Sequence, residues 1–216
     1  MHYIINKIRR NSKIMKSKLK NKTLLIVVFS TIFILFGAKG IMHLRMSNNT
    51  IKEEVVCAKV DNYDNIEELK EDADIIITGT KINEEPSQVF YAENGCINLG
   101  YTLSDIRIDS INTTTPNSAL SVGDTIKILE NEFFDEKSNT NYHIDGYCKM
   151  KNNESYMLFL RYSEDNAWYI PLGVVFGKVP IDENEDNLLT DDLELKNKVD
   201  TLSNEIYEEY DLSSFE

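Results

Sequence analysis

The sequence predicts a mainly β domain with a short helix near its start, a second helix at its C-terminal end and an apolar segment before it. Strand-like runs, either β-branched or alternating between apolar and polar residues, recur from residue 55 to residue 179, with turn residues between them. Helical periodicity is confined to residues 66–73 and 191–210, and residues 23–38 form an uncharged apolar run.

The N-terminal charges indicate a membrane topology. Residues 1–22 contain eight Lys and Arg and no acid, whereas the chain from Arg45 onward contains 14 Lys and Arg and all 36 Asp and Glu, a net charge of −22. Basic residues that flank a first apolar segment stay in the cytoplasm. We therefore predict a cytoplasmic tail over 1–22, a transmembrane helix over 23–44 and an extracytoplasmic remainder. A cleaved signal peptide is the alternative, although no good cleavage site follows.

The strand pattern favours a small closed barrel of the OB type over residues 55–182, after a polar stalk at 45–54. In the strand that begins at Leu99, the apolar residues change phase near residues 104–105, which predicts a β-bulge and a bend. Clear strand patterns also occupy residues 55–60, 74–82, 125–130, 155–162 and 168–179.

The last segment, residues 183–216, is predicted as an acidic hinge followed by a helix. Its apolar positions recur every three or four residues and form one stripe, Leu195, Val199, Leu202, Ile206 and Tyr210. We expect this stripe to pack on the barrel. Self-association or a partner helix is the alternative.

The three cysteines, Cys57, Cys96 and Cys148, form no CxxC pair, which gives no support to a zinc or thioredoxin-like site. An oxidising compartment permits a disulfide, and the sequence does not rank the three possible pairings. The spacing differs from that of disulfide-dense scaffolds and favours free, buried thiols.

Several segments in series carry a family resemblance over residues 65–181: ELKEDADIIITGTKI, YTLSDIRIDSI, VGDTIKILENEFFDE, YHIDGYCKM, SYMLFLRY and WYIPLGVVFGKV. The most specific pieces are Gly123-Asp124, Phe133-Phe134-Asp135-Glu136, Gly146-Tyr147 and the strand at 156–160. With these the chain resembles a group of membrane-anchored or exported proteins of Gram-positive bacteria. The resemblance implies an OB-type barrel similar to the netrin/TIMP-like fold and an exported location, and it implies no activity.

No catalytic site is readable, and we predict that the protein is not an enzyme. His143 with Cys148 and Asp145 has the residue types of a hydrolase triad, but no nucleophile elbow or Gly-rich oxyanion turn surrounds them. A secreted or anchored hydrolase with an unrecognised site is the alternative function.

We also predict no metal and no cofactor. Asp182, Asn184 and Asp186 match the first three ligands of an EF-hand loop, but Asn187 and Leu193 replace the Gly and Glu that such a loop needs.

Aromatic residues in strand connections are the remaining candidates for a binding surface, because OB barrels bind along one face and its bordering loops. The predicted ligand-binding or partner-binding residues are Phe133, Phe134, Tyr142, Tyr147, Trp168 and Tyr169. The sequence thus predicts an extracytoplasmic binding module of the bacterial cell envelope, held in the membrane by residues 23–44. The partner would be a basic protein or peptide, or an envelope sugar, since a net charge of −22 repels nucleic acid.

Overall fold

The computed structural model describes residues 50–115, 119–182, 185 and 187–212. The predicted tail (1–22), the predicted membrane span (23–44) and most of the predicted stalk (45–54) lie outside these residues. Of the helices that the structure does describe, none is long and apolar enough to cross a bilayer. The residues from Ile51 onward belong to one compact unit.

The described residues form ten strands and two helices, so the mainly β class and the C-terminal helix are confirmed. In chain order they are β1 (Lys52–Val56), α1 (Ile66–Asp72), β2 (Ile75–Glu84), β3 (Gln88–Tyr91), β4 (Ile97–Thr114), β5 (Thr125–Glu130), β6 (Glu132–Asp135), β7 (Thr140–Ile144), β8 (Ser155–Ser163), β9 (Trp168–Pro171), β10 (Lys178–Pro180) and α2 (Leu193–Tyr210). β1 begins inside the segment that the sequence assigns to the stalk.

Five strands pair in a ring. β2 pairs with β4, β4 with β5, β9 with β8 and β8 with β2, all antiparallel. The ring is completed by a parallel contact of β5 with β9 at one residue pair, Ile128 and Tyr169. β10 pairs with residues 156–158 of β8, next to the residues of β8 that pair with β9. β3 folds back on the first part of β4 as a hairpin. A separate sheet has the order β1-β7-β6.

Alternating side chains divide the core into two clusters. Ile75 and Ile77 of β2 point into the ring, where they meet apolar residues of β4, β5 and β8. Ile76, between them, points outward and packs with Leu69 of α1 and Ile206 of α2. β2 reads as a continuous apolar run because both of its faces are covered. The predicted packing of the C-terminal helix on the β domain is therefore confirmed, and its whole apolar stripe joins the outer cluster.

The bulge predicted at residues 104–105 is wrong. β4 pairs with β5 without interruption from Thr102 to Arg107. In the β2–β4 pairing a register shift does lie opposite Asp105 and Ile106, but its extra residue is Ile82 of β2, and the extra residues of β4 come later, at Asp109 and Asn112. The inward positions of β4 include Thr102 and Ser104, which are buried, and the predicted inward residue Leu99 is exposed. The apparent change of phase arises because two polar residues face the interior.

The long strand predicted over 168–179 is also wrong, because β9 ends at Pro171 and a turn separates it from β10. Gly173 and Val174 both have positive φ, +55° and +63°. A Cβ at Gly173 would lie 2.7 Å from the carbonyl oxygen of Asp61, so this position requires glycine on two grounds. The alternating pattern cannot show this left-handed turn, which ends the strand.

Candidate ligand-binding surfaces

The predicted aromatic residues divide into core residues and surface residues. Phe133 is buried and stacks on Tyr142, with ring centroids 5.2 Å apart. A Cβ at Gly100 would lie 2.4 Å from the Phe133 ring, so β4 passes directly over that ring. Phe133 is therefore a core residue, and the half-buried Tyr142 covers it.

Tyr147 is also in the core, since none of its surface is exposed. Its hydroxyl donates to the Glu130 carboxylate over 3.2 Å, and the ammonium of Lys178 lies 4.3 Å from its ring centroid. Burial, and then the nearby charge of Glu130, raises the pKa of Tyr147 well above its usual value. The structure places this ring out of reach of a ligand.

Phe134 is half-buried and borders a cavity of about 520 Å³. The charged and aromatic groups around that cavity contact one another. The ammonium of Lys137 lies 3.2 Å from the ring centroid of Tyr91, and the Tyr91 hydroxyl donates to Asp135. The hydrogen bond to Asp135, followed by burial, raises the pKa of Tyr91 to about 12. These internal contacts make the cavity a weaker candidate than the two surfaces described below.

Sequence reasoning missed a buried polar network at one end of the ring. Lys81 and Glu130 are both fully buried and form an ion pair of 2.8 Å. The Lys81 ammonium also donates to Glu84 and to the Met150 carbonyl, both over 2.7 Å. Glu130 accepts further hydrogen bonds from the Met150 N–H, over 2.7 Å, and from the Ser104 hydroxyl. Because these groups satisfy one another, the network stabilises the fold and closes this end of the ring.

One signal for this network is present in the sequence. In TIKILE, Ile126 and Ile128 alternate inward, and the same alternation carries Glu130 to the interior. A glutamate at an inward position needs a buried cation, and the pattern does not say which lysine supplies it.

Lys178 is a second buried lysine, and its ammonium donates to the Cys148 carbonyl. Burial lowers the pKa of Lys178 to about 8, although Glu130 and other nearby groups act in the opposite direction.

His143 joins the N-terminal strand to the rest of the domain. Its Nε2 lies 2.7 Å from Glu53 of β1, and its Nδ1 lies 2.9 Å from the Tyr147 carbonyl. Burial lowers the pKa of His143, but hydrogen bonds to Cys148, Glu53 and the Tyr147 carbonyl outweigh it and raise the pKa to about 9. Both ring nitrogens are thus held by the protein, Nε2 by the side chain of Glu53 and Nδ1 by the backbone of Tyr147.

A partly exposed apolar surface crosses β3, β4 and β9, and we call its four residues, Phe90, Leu99, Tyr101 and Trp168, the aromatic strip. Tyr101 and Trp168 are half-buried. Phe90 and Leu99 lie opposite each other in the β3–β4 hairpin and are 47% and 52% exposed. The Tyr101 ring lies 6.1 Å from that of Phe90 and 5.4 Å from that of Trp168, between ring centroids. Of the four, only Trp168 belongs to the predicted set.

Charged residues farther along the same face of β4 and β5 are paired with one another. The Lys127 ammonium lies 2.6 Å from Glu85 and 2.9 Å from Asp105. Hydrogen bonds to Glu85 and Asp105 raise the pKa of Lys127, and the bond from Lys127 lowers that of Asp105. One lysine thus serves two carboxylates, and this group keeps a single net negative charge.

The other end of the ring is open, and we call the cavity there the ring mouth. It has a volume of about 680 Å³ and lies where β2, β5 and β9 begin and where β4 and β8 end. The rings of Tyr162 and Tyr169 meet at its edge with centroids 5.0 Å apart and planes tilted by 51°. The other lining residues are Asp74, Ile75, Thr114, Thr115, Ala119, Leu120, Thr125, Ile126, Lys127, Glu164 and Ala167.

The cysteines are free, but the prediction that they are buried is wrong for two of them. Cys57 and Cys96 are exposed, and Cys148 is half-buried. Cys57 follows β1, an edge strand whose five residues are all exposed, and Cys96 lies in the turn of the β3–β4 hairpin. The described part of the chain holds no group of three His, Cys, Asp or Glu that could bind a metal ion. Asn184 and Asp186 of the calcium-loop pattern lie outside that part.

Comparison of the chain with protein-family models gave no match, and comparison with the curated proteins gave none either.

Proposed function

We propose that this protein is a membrane-anchored, extracytoplasmic binding module whose ring of five strands is an OB-type barrel. The pairing pattern supports the fold: the OB fold is a five-stranded, partly open Greek-key barrel, and here five strands pair in a ring that one parallel residue pair completes. Counted in chain order, the five strands of the ring that correspond to the first to fifth strands of an OB barrel are β2, β4, β5, β8 and β9.

The aromatic strip is the observation that carries the proposed function. OB barrels bind ligands on the face of the second and third strands and on two bordering connections. Tyr101 lies on the second strand, Phe90 lies in the connection between the first and second, and Trp168 begins the fifth strand just after its connection from the fourth. Phe90 is 47% exposed, and the half-buried rings of Tyr101 and Trp168 continue from it across the face. A row of partly exposed rings at these three places fits a ligand-binding face better than a solvated surface.

A neutral sugar suits the strip better than a basic peptide does. The acids farther along the face, Glu85 and Asp105, share the ammonium of Lys127, which leaves one net negative charge there and only a weak attraction to a cation. Flat rings spaced 5–6 Å apart can stack successive units of a polymer without any charge. The strong negative charge of the domain disfavours nucleic acids and other polyanions. An uncharged envelope polysaccharide is therefore the proposed ligand class.

The binding test uses the full-length chain in a polyoxyethylene detergent, which carries neither sugar nor ammonium groups. We expect it to sediment with isolated cell-wall polysaccharide, and we expect Phe90→Ala together with Tyr101→Leu to abolish this while the melting temperature changes little. The control variant is Tyr162→Leu, which removes an exposed ring at the ring mouth. Equal sedimentation of both variants and the unmodified protein would refute the strip as the ligand site.

The proposed location rests on the charge asymmetry of the chain and has its own test. Protease added to intact protoplasts should remove the acidic domain and leave the basic tail protected. Protection of the whole domain would contradict an extracytoplasmic position without bearing on the aromatic strip.

A further inference from the structure

The ring mouth combines two aromatic rings with two carboxylates, and it lies apart from the aromatic strip. Tyr162 is 42% exposed, and its ring meets that of Tyr169 at the cavity with the two planes tilted by 51°. Asp74 and Glu164 line the same cavity. Beneath them the wall is apolar, formed by Ile75 and other residues that join the interior of the ring.

The charge balance of the mouth is negative. Lys127 is the one basic residue among the described lining residues, and its ammonium is already bound by Glu85 and Asp105. Asp74 accepts one hydrogen bond, 2.8 Å long, from the N–H of Tyr162, which fixes the carboxylate beside that ring. Burial raises the pKa of Tyr169, and the nearby carboxylate of Asp74 acts in the same direction.

We propose that the ring mouth binds an organic ammonium group, held between the tyrosine rings and the carboxylates of Asp74 and Glu164. Aromatic faces attract a cation, and carboxylates at the rim add attraction that the apolar wall does not screen. The threonine hydroxyls of the lining can accept hydrogen bonds from a primary ammonium, and the apolar wall can receive the methyl groups of a quaternary one. The site is separate from the proposed sugar site and does not depend on it.

The cation requirement is tested with choline and its neutral isostere 3,3-dimethylbutan-1-ol, at matched ionic strength, on the full-length chain in polyoxyethylene detergent. We expect choline to bind about tenfold more tightly than the isostere, because only choline gains the attraction to the rings and carboxylates. Nα-acetyl-lysine N-methylamide is the second probe. Tighter binding of this probe assigns the site to lysine side chains of peptides, and tighter binding of choline assigns it to quaternary ammonium groups.

Variants locate the binding. Tyr162→Leu and Glu164→Gln should each weaken ammonium binding about fivefold, and Tyr162→Phe should retain it because the ring face remains. Tyr101→Leu, in the aromatic strip, is the matched control and should leave it unchanged. Equal binding of choline and the isostere, absence of saturable binding by either ammonium probe, or equal losses in the Tyr162→Leu and Tyr101→Leu variants would overturn the proposal. None of these results would affect the polysaccharide test.

Discussion

The two ends of the strand ring carry similar residue types in opposite arrangements. At the closed end, Lys81 and Glu130 are fully buried, and their polar atoms are bound by other groups of the protein. At the open end, Asp74 and Glu164 border a cavity with two tyrosines. The comparison shows that charged side chains have two different roles in this domain. Where polar groups satisfy one another they stabilise the fold, and where they line a cavity they can receive a ligand.

The largest expected effect comes from breaking the buried ion pair. Glu130→Leu removes the buried carboxylate partner of Lys81 and leaves its ammonium with the partly exposed Glu84 and the Met150 carbonyl. The free energy of unfolding should fall by about 3–5 kcal/mol in urea denaturation. The double variant Lys81→Met with Glu130→Leu should lose less than the sum of the single variants, because it leaves no unpaired charge.

The control for this prediction is Lys127→Met, which removes an exposed ion pair on the outer face. It should change stability by less than about 1 kcal/mol. Similar losses of unfolding free energy for Glu130→Leu and Lys127→Met would contradict the distinction between the buried and the exposed ion pairs.

Substitutions in the C-terminal helix test whether that helix is part of the folded unit together with the ring. Ile206→Ala should lower the free energy of unfolding by about 2–4 kcal/mol, since Ile206 is fully buried in the outer cluster. Leu193→Ala, on the same helix but 73% exposed, should have almost no effect. Equal effects would mean that the helix does not pack as described. The same reasoning predicts that residues 55–182 alone are much less stable than residues 51–212.

A pH titration tests the link between β1 and the domain. Because the pKa of His143 is raised to about 9, its charged form stabilises the folded state fully below the unfolded value of 6.5, and this stabilisation is lost as pH rises through 9. His143→Gln should lower stability by about 1.5–3 kcal/mol at pH 6, and the difference from the unmodified protein should shrink toward pH 9.5. A difference that is constant with pH would contradict a protonated His143.

The smallest effect is expected at the surface rings. Phe90→Ala should change the melting temperature only slightly, because Phe90 is nearly half-exposed, whereas Phe133→Ala should lower it by many degrees. Circular dichroism melts of the two variants provide the measurement. A large loss with Phe90→Ala would make the strip part of the core and remove it as a ligand site.

The sequence predicts much of the fold because periodicity directly reports which faces are buried. It locates both helices, the alternating strands β5 and β8, and the packing stripe of α2. It fails at β4, where buried Thr102 and Ser104 mimic a bulge, and after Pro171, where a left-handed turn ends the strand. In both places the local conformation depends on contacts with residues that are far away in the sequence.

The candidate sites show the same division. The sequence alone determines the charge asymmetry and the grouping of aromatic residues between 133 and 147. The structure places Phe133, Phe134 and Tyr142 of that group in strands β6 and β7 and not in a connection. Only the tertiary structure decides that Phe133 and Tyr147 are core residues, that Trp168 joins Phe90 and Tyr101 on one surface, and that Tyr169 turns to the ring mouth. The physical reason is that burial and ring contacts depend on strand pairing between distant residues, which local sequence does not encode.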